Sequence, residues 1–239
     1  MPIVIWKNGR EGEVERLVRG FCSAPDLDVT PYACDSAFLE LRLPCRDAHQ
    51  DRPCRLLAEL AGMADQVVSV LGLGSEDSVV VPGGLSGTTA VRLGEIGGFV
   101  RQVTSAGSGL PLLVGVAIDV TLNHGAGYWA RGEEHASIAI PGHVLMYHEL
   151  IGHALPICRG TLRTSDPEAQ AIEEENLLRR ALGLPQRTGH EGGRIIDSHG
   201  GGFCRRRGVL AEFRFPRFNG WYYRCADGRI HRSRTPVPS

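Results

Sequence analysis

The sequence predicts an α+β protein, and three observations support that class. Short apolar or β-branched runs at Ile3–Trp6, Phe38–Leu43, Val79–Val81, Leu112–Leu122 and Ser137–Ile140 read as strands. Stretches with helical spacing or helix-start signals stand among them at Arg55–Leu71, Val144–Ile157 and Asp166–Gly183. The 239 residues are 42% hydrophobic and 22% charged, close to the average globular domain, which excludes disorder and collagen-like repeats.

In order along the chain, Ile3–Trp6 and Phe38–Leu43 are short strands. In Arg55–Leu71, Leu56, Leu57, Leu60, Met63, Val67, Val68 and Leu71 recur near helical spacing, and Gly72-Leu73-Gly74 reads as the C-cap of that helix. Gly72–Gly109 is rich in Gly and Ser around Val79–Val81 and marks a seam. Within it, Gly84–Thr88 follows a strand but lacks the glycine spacing of a nucleophile elbow, so it reads as a glycine turn. Leu112–Leu122 is a buried strand, followed by the loop Asn123–Gly127. Ser137–Ile140 is an edge-like strand ended by Pro141-Gly142. Val144–Ile157 is a helix that Pro156 should end early. Asp166 as N-cap and Pro167 in the first turn open the next helix. The chain is glycine-rich after Arg187 and ends in a hairpin, Trp221–Cys225 with Arg229–Arg232, turned at Asp227-Gly228. The expected organisation is an N-terminal portion of unassigned role over 1–75, a domain over 76–200 holding the histidine motif, and an Arg/aromatic-rich hairpin over 201–239 packed on it.

A net charge of −1 argues against nucleic-acid and membrane partners. The tail from Gly201 holds nine arginines against Glu212 and Asp227, interleaved with Phe213, Trp221, Tyr222 and Tyr223, and reads as the solvated face of a hairpin or a surface for an anionic partner. No run of about 18 apolar residues occurs, so no transmembrane helix is expected. Met1–Lys7 has no basic region ahead of an apolar core, so the expectation is a protein made in the cytosol without a cleavable signal, with export as an effector left open. Seven cysteines at irregular spacing and without CxxC read as reduced, mostly buried residues; Cys34, Cys45 and Cys54 are disulfide candidates if the protein is secreted. Lys7 is the only lysine.

The chemistry concentrates between Asn123 and Ala154, where five of the nine histidines fall: His124, His135, His143, His148 and His153. Within it, His148-Glu149-Leu150-Ile151-Gly152-His153 is one residue longer than the zinc-peptidase helix signature H-E-x-x-H. In a regular α-helix, residues five apart are rotated by about 140° and cannot share one tetrahedral ion. A π-turn near Gly152 would return both imidazoles to one face. A catalytic zinc site also needs a third protein ligand and an open fourth position. The helix from Glu168 offers Glu173, Glu174 and Glu175. On a helical wheel with Ala171, Ile172, Leu178, Ala181 and Leu182 buried, Glu174 and Glu175 both fall within the inward arc and Glu173 points away.

The stretches HELIGHALP (148–156) and AIEEENLLRRALGLPQR (171–187) resemble the small gluzincin-like zinc metallopeptidase domains of bacterial toxins and injected effectors. The resemblance covers about Ser137 to Arg187. It implies a zincin-like fold, a small mixed sheet with an active-site helix and a second ligand-bearing helix, and an edge strand where an extended protein or peptide substrate pairs. It also implies zinc as the cofactor, His148 and His153 as ligands, Glu149 as general base, and Glu175, through the Glu175-Asn176 pair, as third ligand. An immunity or delivery partner would accompany such a role. His124, His143 and His190 are the next candidate ligands. The rival readings are a non-catalytic, metal-stabilised module for an anionic partner, in which a fourth residue such as His143 or His124 closes the site, and a zinc hydrolase of a non-peptide bond.

Overall fold

The computed structural model describes residues 2–43, 51–74, 77–83, 87–92, 97–103, 112–123, 127–132, 137–198, 208–215, 218–224 and 230–236. Its N-terminal half builds β1 (Ile3–Trp6), α1 (Glu11–Arg19), β2 (Asp28–Pro31), β3 (Phe38–Arg42), α2 (Arg52–Gly62), β4 (Gln66–Leu73), the hairpin β5 (Ser78–Gly83) and β6 (Gly87–Arg92), β7 (Gly98–Gln102) and β8 (Leu112–Asp119). Six of these strands form a mixed sheet in the order β2-β3-β1-β4-β8-β7. β1, β4 and β8 run parallel at its centre, and the flanking strands pair antiparallel. One face carries Ile3, Ile5, Val68, Val70, Val114, Val116 and Ile118, all buried. The core joins these residues to Val14 and Leu17 of α1 and Leu57 and Leu60 of α2. The fold is mixed α+β, as expected.

Several expectations for this half are corrected. Arg55–Leu71 is a helix only to Gly62: Met63 turns extended, Asp65 takes a positive φ of 62°, and Val67–Val70 enter β4, where valine's stiff, branched side chain suits a pleated surface. Gly72 is therefore a strand residue and not a helix cap. A Cβ there would lie 2.7 Å from Val14 Cγ2, so glycine allows α1 to pack closely on β4. The seam expected near residue 75 falls inside one sheet, because β4 and β8 pair from Gln66↔Leu112 to Leu73↔Asp119. Cys22, expected to be reduced, forms a disulfide with the candidate Cys54 that joins the end of α1 to the start of α2, while Cys34, another candidate, and Cys158 are free.

The C-terminal half builds a 3-10 turn (Val120–Asn123), β9 (Gly127–Gly132), β10 (Ser137–Ile140), α3 (Gly142–Tyr147), a π-helical segment π1 (His148–Ala154), α4 (Leu155–Arg159), α5 (Pro167–Ala181), β11 (Arg187–Ser198), β12 (Gly208–Phe215), β13 (Phe218–Arg224) and β14 (Ile230–Pro236). The second sheet is antiparallel, in the order β10-β9-β11-β12-β13-β14. The expected terminal hairpin is β13–β14, closed at Arg224↔Ile230; its turn residues Asp227-Gly228 lie outside the described set, as do Ser86, Cys45, Cys204, Cys225, His124, His135 and His199. β10 is an edge strand, but the strands packed most against π1 are β7, at the edge of the first sheet, and its neighbour β8. Pro156 does not stop the helix: it lies just after the π-turn in a helical run that is unbroken from Gly142 to Arg159, and Gly160 ends that run at φ 66°. No helix among the described residues is long and apolar enough to cross a membrane.

Candidate metal centre

His148 and His153 lie in π1, and the Leu155 N–H closes an i→i−5 bond onto the Leu150 carbonyl. The widened turn brings the two rings to one side, with their Nε2 atoms 3.2 Å apart. The spacing of five thus produces the irregular helix expected from it. Gly152 has a second reason to be glycine: a Cβ there would stand 2.8 Å from Ala171 Cβ and 2.9 Å from Ala171 Cα, so its absence lets α5 pack directly on π1.

α5 starts where Asp166 accepts from the Ala169 N–H at 3.0 Å, with Pro167 in its first turn. From that start Glu168, Ala171 and Glu175 follow one stripe, three and four residues apart, toward the histidine helix. Glu168 Oε2 lies 3.3 Å from His153 Nε2, and its Oε1 lies 3.5 Å from His148 Nε2. His148, His153 and Glu168 each offer one ligand atom, all within 4.8 Å of one another. These distances suit a shared ion: two nitrogens about 2.05 Å from one tetrahedral metal stand about 3.3 Å apart.

Glu175 is placed differently from the expectation. Its Oε2 meets Nδ1 of His148 at 2.9 Å, on the opposite edge of the ring from the shared Nε2 position. It is fully buried and also bonds Arg179 and Arg187. A carboxylate on Nδ1 assigns the ring proton to that nitrogen and leaves Nε2 free to bind an ion, as the outer partners of metal-ligating histidines do. Glu174, the other inward candidate, accepts from the Tyr147 hydroxyl at 2.6 Å and from Arg52 at 2.8 and 3.0 Å. Glu173 is exposed and pairs with Arg163. His143 lies on α3 outside the group, and the side chain of His190 is not among those described.

Glu149 follows His148 and is 5% exposed; its carboxylate packs against Gly98 of β7. Burial pushes its carboxyl above the usual range, a shift opposed by the charges of His148 and His153. At His148 burial disfavours charge, but the bonds to Glu168 and Glu175 outweigh it and push the imidazole up to about 10. Burial acts against Glu168 too, yet its bonds to His148 and His153 hold it well below the usual carboxylate range.

Three side chains of this cluster lay outside the expectations: Glu168, Arg179 and Arg187. Arg187 Nη2 reaches Glu168 Oε1 at 2.9 Å while Nη1 reaches Glu175 at 3.1 Å, tying the two carboxylates together. Asn176 holds the Arg187 backbone from both sides, at 2.7 and 2.8 Å. The signal for Glu168 was present in the sequence, because it stands seven residues before Glu175 and so on the same helix face. Comparison with family models, curated proteins and solved structures finds no match to this chain.

Proposed function

We propose that this chain is a zinc-dependent peptidase of gluzincin type, hydrolysing protein or peptide bonds, with His148, His153 and Glu168 as the metal ligands. The observation that carries the reading is the 3.2 Å approach of two imidazole nitrogens with a carboxylate closing the group. Three protein ligands is the number that leaves a fourth position for water. The imidazole-carboxylate donor set suits zinc, though it also suits other divalent metals. Zinc held there supplies Lewis acidity and an acidified water.

The chain's own groups complete the chemistry. Glu149 takes a proton from the attacking water on its carboxylate and returns it to the leaving amine. Glu175 keeps the His148 proton on Nδ1, and Arg187 balances the charge of Glu168. β7, the outer strand of the first sheet among the described residues, lies beside π1, and its outer edge offers main-chain groups to an extended peptide. That arrangement supports a zincin-like reading of the fold. The Cys22–Cys54 disulfide favours a working place outside a reducing cytosol, which suits an exported effector with a delivery or immunity partner.

The test is elemental analysis of the purified protein with a hydrolysis assay on unfolded protein substrate. One zinc per chain and chelator-sensitive cleavage are expected. Glu149→Gln should keep the zinc and lower kcat by about 10²- to 10⁴-fold. A chain that takes up no zinc at micromolar concentration refutes the peptidase.

A further inference from the structure

Gly98 opens β7 on the face turned toward π1. It pairs with Ile118, which is fully buried, and two residues on Val100 packs against the same core. At Gly98 the place of a side chain is taken by Glu149: a Cβ there would stand 2.6 Å from both Glu149 Cγ and Cδ, and closer still to Oε1. Real Cβ atoms essentially never come that close. Backbone torsion does not demand glycine here. The positive φ in this turn, 78°, belongs to Gly97. Gly97 also accepts the Asp119 N–H at 2.8 Å, which fixes the start of β7 against β8. Glycine at 98 therefore makes room for a carboxylate.

We infer that Gly98 is a positioning residue for Glu149, a notch in the edge strand that seats its side chain beside the two histidines; this rests on Glu149 being the base. The three nearest atoms a methyl group would meet there all belong to the Glu149 side chain and none to backbone, so that side chain is what must swing aside. Swinging aside takes the carboxylate out of the seat. The notch thus links the strand that would receive a peptide to the group that would move its protons. Gly115, on the neighbouring strand β8, provides a control, since a Cβ there meets nothing nearer than Val103 Cγ2 at 3.7 Å.

The experiment uses the full chain with Gly98→Ala, Gly115→Ala, Glu149→Gln, Glu149→Ala and the doubles with Gly98→Ala. Gly98→Ala is expected to keep one zinc per chain and its KM, and to lower kcat about 10- to 100-fold. In the Glu149→Gln background it should lower kcat no further, because the base is already gone. Gly115→Ala should match wild type. A second readout needs no activity. In metal-free protein the shift in thermal midpoint caused by Gly98→Ala should be more negative, by at least about 2 °C, with Glu149 present than in Glu149→Ala, where the notch is empty. Equal midpoint shifts with and without the Glu149 side chain, or an equal fall in kcat in the wild-type and Glu149→Gln backgrounds, overturn the inference. A coupled midpoint in a wild-type chain that binds no zinc and cleaves nothing would instead remove the peptidase reading and leave Glu149 seated in the notch.

Discussion

Replacing Glu168 and Glu175 one at a time by Gln separates a metal ligand from the residue that orients one. Glu175 is fully buried, and it faces His148 Nδ1, Arg179 and Arg187, the last two being 0% and 7% exposed. A neutral amide there takes away the carboxylate that Arg179 faces and one of the two that Arg187 spans, and breaking such a buried pair costs about 3–5 kcal/mol. In a chain of this length that lowers the thermal midpoint by about 6–20 °C. Zinc affinity should also fall about 10- to 100-fold, the usual cost of removing the partner that orients a ligating imidazole. Glu168 stands in the first turn of α5 with its side chain 31% exposed, and Glu175 still faces His148 and Arg187 once it is replaced, so Glu168→Gln should lower the midpoint of the metal-free protein less than Glu175→Gln does. Its effect should appear in the metal: a larger loss of zinc affinity than in Glu175→Gln, because a ligand atom itself is exchanged for a weaker one. The assay is differential scanning calorimetry in chelator beside competitive zinc titration of each folded variant. If Glu168→Gln binds zinc like wild type while folded Glu175→Gln does not, the two roles are reversed and the geometric reasoning fails.

Two further outcomes follow from the packing. Gly152→Ala forces a methyl group onto the Ala171 backbone, so it should cost about 1–3 kcal/mol and weaken zinc binding by separating π1 from α5; a variant with wild-type midpoint and affinity would show that this contact can yield freely. Reducing Cys22–Cys54 opens a span of 32 residues and should lower stability by about 3–4 kcal/mol on the chain-entropy account, read from urea unfolding with and without reductant; coincident curves would mean the bond is not formed in solution.

Much of the fold was legible because local signals agreed with the tertiary outcome. Asp166-Pro167 marks the start of α5, and the apolar run from Leu112 becomes β8, one of the three parallel strands. The error at Val67–Leu71 has a physical origin. Those apolar positions continue the helical spacing of α2, and their conformation is decided by pairing with β1 and β8, partners far away in sequence that a local pattern does not register. α1 carries Val14, Leu17 and Val18 at helical spacing, a signal the sequence does hold. β11 is the opposite case. Gly189, Gly192 and Gly193 argue against a strand, and it forms through β9 and β12 on either side, with an irregularity in register between Arg187 and Gly192.

The histidine pair was legible for a stronger reason: at a spacing of five a regular α-helix turns the imidazoles to different sides, and a π-turn returns them to one. The proposed third ligand, Glu168, was not singled out, and the helical wheel explains why. Glu168 and Glu175 are seven residues apart, which on a 3.6-residue helix is a rotation of only about 20°, so a wheel does not distinguish them. They differ along the axis, by about 10 Å, and that separation matters because an imidazole has a nitrogen on each of two edges. One carboxylate meets the Nε2 edge of His148 and the other meets the Nδ1 edge. A glutamate in the first turn also reads as a partner of the helix dipole, a sufficient local reason that hides a distant one. The Glu175-Asn176 pair, taken from the sequence as a ligand signature, works in the structure as framework: Glu175 orients His148, and Asn176 fixes the Arg187 backbone so that its guanidinium spans both carboxylates.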